Sequence, residues 1–264
     1  MKDEKVQYFT QDNIKITAIH TKPDDSSVNI RGAVILAHGI IHDKNEKGLF
    51  IEISEALCDS GFEVLRFDFR GHGESELNSE DMTISTQLLD IDASISFFQN
   101  YKKIGLLGAS FGGGASILYT VRNPLKISTL VLFNPVFNYK RALLEPETER
   151  AREYHNFAER KEELERNGYI EVRGKNYRLG KRLAEEALLY KPYEEFAKVQ
   201  CKVLTIHGFR DSLIPYGMSE EYTKVNNNCT LIGVNLDHGF HESNEEKDKV
   251  IQKTVEWFTQ NSTA

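Results

Sequence analysis

A single serine lies where a strand-like segment meets a glycine-rich turn. The apolar run Ile104 to Leu107 leads into Gly108-Ala-Ser110-Phe-Gly112, and a helical pattern follows. In the pattern G-x-S-x-G the serine occupies a strained strand-to-helix turn, and the glycines remove side chains that would collide across it. The pattern predicts that Ser110 is a nucleophile. The alternative is a glycine-rich turn that serves packing alone.

A serine hydroxyl is a weak nucleophile unless a base removes its proton and an acid orients that base. Asp211 follows the apolar segment Leu204 to His207, and His238 follows the apolar segment Leu231 to Val234. Because the carboxyl ends of parallel strands meet at one edge of a sheet, both side chains could reach the serine. The sequence therefore predicts a triad with His238 as the base and Asp211 as the acid.

Other histidines and acids compete for these two roles. His241 lies three residues beyond the predicted base, in the same loop, and is the main alternative base. Asp237 directly precedes the predicted base, and we expect its side chain to point elsewhere. His38 and His207 each precede a glycine at a strand end, where we expect them to hold loops by hydrogen bonds.

Acyl transfer passes through a tetrahedral intermediate whose negative oxygen needs preorganised hydrogen-bond donors. The amide of Phe111, directly after the nucleophile, is one predicted donor. The amide of Ile40 is the other, since it follows the apolar segment Ala33 to Gly39. This chemistry requires no metal ion and no organic cofactor, and we expect none.

Composition favours chemistry on a small molecule. The chain has 264 residues and a formal net charge of -7, with basic residues dispersed among acidic ones. This balance argues against nucleic acid or an anionic membrane as the main partner. Hydrophobic residues make up 40% of the chain, which is enough to bury a full core in one large domain with an insertion.

Targeting signals and disulfide frameworks are not evident. The amino terminus lacks an apolar signal region, and no run of about 18 apolar residues occurs, so we expect a cytoplasmic protein. Three cysteines are too few, and odd in number, for a disulfide framework, and none has a partner at C-x-x-C spacing. A bridge between Cys201 and Cys229 is the one alternative, because both begin predicted strands that can be neighbours.

Strand and helix patterns alternate along most of the chain, which predicts a mostly parallel sheet with helices on both faces. A hairpin is predicted first, followed by a loop, at Val6 to Thr10, Ile14 to Thr21 and Pro23 to Ser27. Later strands are predicted at Ala33–Ala37, Glu63–Phe67, Ile104–Leu107, Thr129–Phe133, Val203–Ile206 and Thr230–Val234. Helices are predicted near Lys47–Ser60, Ser85–Asn100, Phe111–Arg122, Met218–Lys224 and Glu245–Gln260.

The alternation stops at residues 137–198, which we interpret as an insertion after the sixth strand. Residues 1–136 and 199–264 would then form the core domain. Within the insertion, the pattern predicts a helix at Glu147 to Arg166, a hairpin turning at Gly174 to Asn176, and a helix at Gly180 to Tyr190. Its position at the carboxyl ends of the strands favours a lid over the site. A solvated structural elaboration is the alternative.

With these residues in place, the chain resembles the α/β-hydrolase superfamily along essentially its whole length. The motifs that carry the resemblance are His38-Gly39, Asp68-Phe-Arg-Gly-His-Gly-Glu-Ser75, Gly108 to Gly112, His207 to Asp211 and His238. Within the superfamily, Arg66 to Ser75, the following Asp81-Met-Thr83 and the hairpin-bearing insertion are similar to the bacterial feruloyl (cinnamoyl) esterase group. Ala109 and Phe111 stand where these esterases commonly have histidine and glutamine.

The resemblance implies an α/β-hydrolase fold and a serine esterase that forms an acyl-enzyme on Ser110. It implies a small-molecule ester substrate with a small acyl, aryl or hydroxycinnamoyl group. From composition we expect no nucleic-acid or membrane partner, and a homodimer is left open. Four aromatic residues of the insertion are candidate substrate contacts, or else they form the insertion's own core: Phe157, Tyr169, Tyr177 and Tyr190.

Two other functions fit the same sequence. An aminopeptidase or amidase could use the same triad if a carboxylate of the lid, Glu153 or Glu185, held the amine of the substrate. In so acidic an insertion, a solvated face is the simpler role for these glutamates. A catalytically silent hydrolase-fold protein that binds a ligand is the alternative from another class.

Overall fold

The computed structural model describes residues 1–24 and 29–262. The loop predicted at Pro23 to Ser27 and the last two residues of the predicted core domain lie partly or wholly outside them. Within the described residues, an eight-stranded sheet forms the centre and a two-stranded hairpin lies in the insertion. The strands are β1 Lys2–Phe9, β2 Lys15–Lys22, β3 Gly32–Ala37, β4 Phe62–Phe67, β5 Ile104–Ala109, β6 Ile127–Phe133, β7 Tyr169–Glu171, β8 Arg178–Gly180, β9 Lys202–Gly208 and β10 Cys229–Val234.

The large sheet is mostly parallel, as predicted. Its strand order is β1-β2-β4-β3-β5-β6-β9-β10. The first hairpin pairs antiparallel, and β2 is antiparallel to β4, whereas the remaining neighbours run parallel. All residues of β3 and β5 are buried, and their near-continuous apolar sequence suits strands that are covered on both faces.

Helices cover both faces of this sheet, which confirms the predicted layering. The helices are α1 Leu49–Asp59, α2 Ile84–Phe97, α3 Ser110–Arg122, α4 Glu149–His155, α5 Lys161–Asn167, α6 Lys181–Leu189, α7 Pro192–Glu195, α8 Tyr216–Thr223 and α9 Asn244–Asn261. On one face, α1 and α9 pack through Phe50, Ile53 and Phe258. On the other face, α2 and α3 pack together with parts of the insertion. None of the described helices is both long and apolar enough to cross a bilayer.

The insertion differs from its prediction in one helix. Glu147 to Arg166 was expected to be continuous, but the structure contains two short helices, α4 and α5, instead. The first one ends at His155, and the side-chain oxygen of the next residue, Asn156, accepts a hydrogen bond from the amide of Glu159 at 3.2 Å. An asparagine that bonds nearby amides offers the backbone an alternative to the helix, which explains the break. The predicted hairpin and the helix after it are confirmed as β7, β8 and α6.

The end of the insertion is tied to the core. Phe196, just after α7, is fully buried in the cluster that also includes α3, and its carbonyl accepts a hydrogen bond from the side-chain amide of Asn226 in the core at 2.8 Å. The boundary at residue 198 therefore remains a prediction. All three cysteines are free thiols, so the alternative bridge between Cys201 and Cys229 is absent.

The turn from β5 into α3 is packed tightly against the end of β3. A Cβ at Gly112 would lie 2.3 Å from the carbonyl oxygen of His38 and 2.7 Å from that of Ala37. A Cβ at Gly108 would lie 2.4 Å from the hydroxyl of Ser116. All three distances are shorter than real Cβ contacts, so these two positions accept only glycine unless the surrounding atoms shift. The two glycines allow three segments to meet where the predicted nucleophile lies.

The first prediction concerns this close contact between the β5–α3 turn and the end of β3. Gly112→Ala is expected to lower the free energy of unfolding by about 1–3 kcal/mol, because the new methyl group forces the turn away from β3. Gly217→Ala in α8 is the matched control, since a Cβ there meets nothing within 4 Å. It should leave stability unchanged or slightly higher. Urea unfolding measures both, and equal stability of the two variants would contradict the packing described.

Candidate active site

Ser110 follows the carboxyl end of β5 and is the first residue of α3. Its φ is +51°, in the left-handed region that residues other than glycine rarely adopt. Such a conformation costs free energy and persists only where the surroundings hold it. The carbonyl of Ser110 accepts a hydrogen bond from the amide of Val136 at 2.9 Å, which fixes the turn from the side of β6. The hydroxyl is thereby held outside the sheet.

His238 reaches this hydroxyl from the loop after β10. Its Nε2 lies 2.8 Å from Oγ of Ser110, and its Nδ1 lies 2.7 Å from Oδ2 of Asp211. Because an ionised carboxylate only accepts hydrogen bonds, Nδ1 carries the proton and Nε2 is free to accept from the serine. The structure thus brings the three predicted triad residues into one hydrogen-bonded chain.

Asp211 is held in place by the loop after β9. Its Oδ1 accepts hydrogen bonds from the amides of Leu213 and Ile214, both at 2.8 Å. Burial by itself would raise the pKa of this carboxyl, but the charges and hydrogen bonds of His238 and His207 outweigh burial and hold the pKa well below its usual range. The carboxylate is therefore ionised at neutral pH.

The pKa of His238 is raised above its ordinary value. Burial would lower this pKa, but the charge and hydrogen bond of Asp211, supported by the charges of Glu46 and Asp237, outweigh burial. A raised pKa means that the imidazolium form is stabilised, as a base that must hold a proton during reaction requires.

Asn134, at the end of β6, joins the loops that carry the acid and the base. Its φ is +43° and its side chain is buried. The side-chain amide donates to the carbonyl of His238 at 2.6 Å, while its oxygen accepts from the amide of Gly208 at 2.9 Å. One side chain therefore sets the spacing between the ends of β9 and β10.

The competing acid and histidines have other positions. The carboxylate of Asp237 accepts from the amide and hydroxyl of Ser212, both at 2.7 Å, and from Arg150 at 2.9 Å, so it does not orient the imidazole of the base. His38 accepts from the amide of Phe69 at 3.0 Å, and His207 lies 2.9 Å from the carbonyl of Ile214. The loop-holding role predicted for these two histidines is confirmed.

His241, the alternative base, lines the cavity beside the serine, but the imidazole hydrogen-bonded to Ser110 belongs to His238. Burial lowers the pKa of His241, with the charge of Lys47 adding to the effect. The structure thus supports the choice of His238.

The two predicted oxyanion donors flank the serine. The amide of Phe111 belongs to the first turn of α3, where backbone amides have no intrahelical acceptor. Ile40 follows Gly39, and a Cβ on Gly39 would lie 3.1 Å from Cβ of Ser110. Both residues line the cavity at the serine. Their role as donors stays a prediction.

A cavity of about 240 Å³ opens at Ser110. Its wall mixes apolar and polar side chains and combines the loop after β3 with the insertion and the loops after β9 and β10. The apolar lining residues are Ile40, Ile41, Phe111, Val136, Ala142, Leu143, Leu213 and Ile214. Glu46, Arg150, Tyr154 and His155 add polar groups. A larger, open cavity of about 870 Å³ adjoins it and shares Ile41, His42 and Lys47.

The four aromatic residues proposed as substrate contacts do not line the cavity at Ser110, and this part of the prediction is corrected. Phe157 is 2% exposed and belongs to the core of the insertion. Tyr169 and Tyr190 lie under the guanidinium groups of Arg178 and Arg122. Tyr177 is hydrogen-bonded to His72 and lines the larger cavity. Packing within the insertion, and against Arg122 and His72 of the core, accounts for the difference.

Sequence reasoning missed Asn134, Glu46 and the three residues of α4 that reach the cavity, which are Arg150, Tyr154 and His155. Only Asn134 carried a signal, because a polar residue directly after a buried strand marks the catalytic edge of the sheet. Among the residues that the structure describes, no group of three or more histidine, cysteine or acidic side chains is arranged to hold a metal ion.

Comparisons with known proteins identify the family and the fold of the chain. The family model described as serine aminopeptidase, S33, matches residues 28–161, about half of the chain. An uncharacterised 31.7 kDa protein of Escherichia coli, from the traX-finO intergenic region, is 26% identical over 213 residues, covering 69% of this chain and 73% of its own. Human mitochondrial palmitoyl-protein thioesterase ABHD10 is 25% identical over 202 residues, covering 74% of this chain and 62% of its own.

The structure of Est1E from Butyrivibrio proteoclasticus with bound ferulic acid superposes with a TM-score of 0.81. The two chains are 20% identical, and the alignment covers 97% of this chain and 99% of the other. At this identity the likeness shows a shared fold.

The second prediction tests the role of Asn134. Asn134→Asp keeps an acceptor for the amide of Gly208 but places a carboxylate oxygen against the carbonyl of His238. We expect a loss of about 1–3 kcal/mol in the free energy of unfolding and slower labelling of Ser110 by a fluorophosphonate. Asn138→Asp is the matched control, because this amide contacts Tyr222 and Arg141 instead. Equal labelling rates in both variants would show that Asn134 does not position the base.

Proposed function

The chain belongs to the serine aminopeptidase S33 family of hydrolases, and from this we propose that it is a serine esterase that cleaves carboxylic esters of small acyl or aryl acids. The observation that carries the proposal is the hydrogen-bonded chain from Oγ of Ser110 through His238 to Asp211, with links of 2.8 and 2.7 Å. The Asp211 carboxylate is ionised, and the imidazole of His238 lies between it and the serine hydroxyl, as acyl transfer needs.

In the first half of the proposed reaction, Nε2 of His238 takes the proton of Ser110 as Oγ attacks the ester carbonyl carbon. The carbonyl π electrons move onto oxygen, and the amides of Ile40 and Phe111 would bind that oxyanion. Asp211 stabilises the imidazolium that forms. When the tetrahedral intermediate collapses, the bond to the leaving oxygen breaks and the imidazolium gives that oxygen its proton.

In the second half, water takes the place of the alcohol. His238 removes a proton from the water as its oxygen attacks the acyl-enzyme carbonyl. Collapse of the second intermediate returns the proton to Oγ and releases the carboxylic acid. Water is the only co-reactant, so the cycle is balanced without a redox partner.

The size of the cavity supports small acyl or aryl groups, and its apolar side chains can contact them. An apolar cavity of about 150 Å³ accommodates benzene. The cavity at Ser110 measures about 240 Å³, so it suits a substituted ring or a short chain. A longer acyl chain would have to extend into the adjoining larger cavity. The name of the human relative, a palmitoyl-protein thioesterase, makes thioesters a related class to test.

Ester cleavage is preferred to aminopeptidase activity because neither proposed amine anchor lies at the cavity. Glu153 and Glu185 are exposed and do not line it. The three carboxylates that do line it lie outside the insertion: Asp237 is paired with Arg150, Glu46 accepts from the amide of Gly39, and Glu242 accepts from the amide of Asp237. A substrate ammonium group would therefore meet no unoccupied carboxylate from the insertion.

The third prediction concerns substrate class. The wild type should hydrolyse p-nitrophenyl esters of short acyl and aryl acids, and Ser110→Ala should lose at least about 10³-fold in kcat. Methyl ferulate, palmitoyl thioesters and aminoacyl p-nitroanilides complete the panel. Ser116→Ala, in the same helix but buried, is the control serine. Cleavage of the anilides alone would replace the esterase proposal by the peptidase.

The fourth prediction is the pH dependence of kcat/KM. His238 acts as a base only when neutral, and its pKa is raised, so activity should increase with pH through a pKa above the ordinary value of 6.5. Asp211→Asn should move this limb to lower pH because the stabilising charge is removed, and it should also lower the plateau. A wild-type limb below pH 6 would contradict the electrostatics described.

A further inference from the structure

A second acidic side chain, Glu46, is buried beside the triad. It begins the short 3-10 segment Glu46–Gly48, and both it and Lys47 have left-handed backbones, with φ of +45° and +54°. Two consecutive non-glycine residues in this region are uncommon, and such strain is concentrated at functional sites. The strained backbone directs the glutamate into the interior, where it lines the cavity at Ser110.

One oxygen of Glu46 holds the loop that contains a predicted oxyanion donor. Its Oε2 accepts a hydrogen bond from the amide of Gly39 at 2.9 Å. The other oxygen, Oε1, would lie 3.6 Å from a Cβ on that glycine, and the same Cβ would lie 3.1 Å from Cβ of Ser110. The carboxyl group of Glu46 therefore lies next to the backbone of Gly39, which in turn lies next to Ser110.

The charge of Glu46 also acts on the base. Burial raises the pKa of Glu46 to about 7, although the hydrogen bond from Gly39 and the charges of His238 and Lys47 oppose the shift. Asp43 adds to the rise, and Nε2 of His42 lies 3.8 Å from Oε1. The carboxyl thus changes its charge near neutral pH, and its ionised form raises the pKa of His238.

We propose that Glu46 is a positioning residue for acyl transfer. Its carboxyl oxygen fixes the Gly39 peptide so that the next amide, that of Ile40, faces the oxyanion on substrate bound to Ser110. Its negative charge stabilises the imidazolium of His238. The inference rests on the proposed triad chemistry and adds a fourth side chain, one that needs no contact with the substrate.

A purely structural role for Glu46 would need only a hydrogen-bond acceptor. Burying a carboxyl where it can ionise is costly unless its charge is used or compensated. The two roles separate in Glu46→Gln, which keeps an acceptor oxygen for Gly39 but removes the charge. Glu46→Ala removes both. Glu52→Gln is the control, because Glu52 in α1 pairs with Lys247 outside the cavity.

The experiment measures kcat, KM and the pH dependence of kcat/KM for the wild type and the three variants. Glu46→Gln should retain kcat within about threefold, and its acidic limb should move to lower pH by roughly half a unit. Glu46→Ala should lose about 10- to 100-fold in kcat with little change in KM, because the Ile40 amide is misplaced. Glu52→Gln should match the wild type.

Two results would overturn the proposal. Equal losses of kcat in Glu46→Gln and Glu46→Ala would show that the acceptor oxygen does not position the loop. An unmoved acidic limb in Glu46→Gln would show that the charge does not reach His238. Thermal unfolding checks that each variant folds, and if Glu46→Ala does not fold, the pH limb of Glu46→Gln decides.

The rate of fluorophosphonate labelling of Ser110 separates this proposal from the esterase proposal. Labelling uses the same nucleophile, base and oxyanion donors but no ester. If the wild type labels rapidly yet hydrolyses no ester of the panel, the esterase proposal fails. In that case the labelling rates of the Glu46 variants, measured against pH, must show the same pattern for the role of Glu46 to stand.

Discussion

The site depends on the close approach of the β5–α3 turn to the end of β3. Gly112 brings its backbone against the carbonyls of Ala37 and His38 so closely that no side chain fits between them. This contact fixes Ser110 in a left-handed conformation and places it beside the Gly39 peptide. The nucleophile and one predicted oxyanion donor are thus set by a single backbone crossing, and the neighbouring loops need only supply the base and the acid.

Around this crossing, buried charges are arranged so that each compensates another. Asp211 stays ionised because two amides and two imidazoles face it, and the pKa of His238 rises because Asp211 faces it in turn. The insertion joins this network through Arg150, which donates to Ser212 and Asp237, the residues next to the acid and the base. Residues 137–198, predicted to form a lid, are therefore attached through Arg150 to the loops that carry Asp211 and His238.

The sequence predicted the residues whose positions are set by the ends of the strands. Parallel strands place their carboxyl ends at one edge, so Ser110, Asp211 and His238 could be selected as the residues that follow buried apolar runs, and the structure brings them together. The prediction of one helix from Glu147 to Arg166 was wrong, because the side chain of Asn156 bonds a nearby backbone amide and interrupts the helix. The spacing of apolar residues does not reveal that a side chain competes with the helix for backbone hydrogen bonds.

The cavity wall could not be predicted from the same signals. Tyr169 and Tyr190 are residue types that commonly contact ligands, yet here they pack under the side chains of arginines. An aromatic ring in an insertion can serve ligand binding or internal packing equally well, so the sequence does not separate the two roles. Glu46 carried no signal at all. Its position depends on two left-handed residues in a loop, which neither composition nor spacing specifies.

The most direct test of the account is to trap the acyl group on the enzyme. The wild type is mixed with a p-nitrophenyl ester, quenched in acid during the first turnovers, digested with trypsin and examined by tandem mass spectrometry. The account predicts that the acyl mass appears on Ser110, within the peptide from Ile104 to Arg122. Release of p-nitrophenol with no acylated peptide, or an acyl group on any other residue, would contradict it.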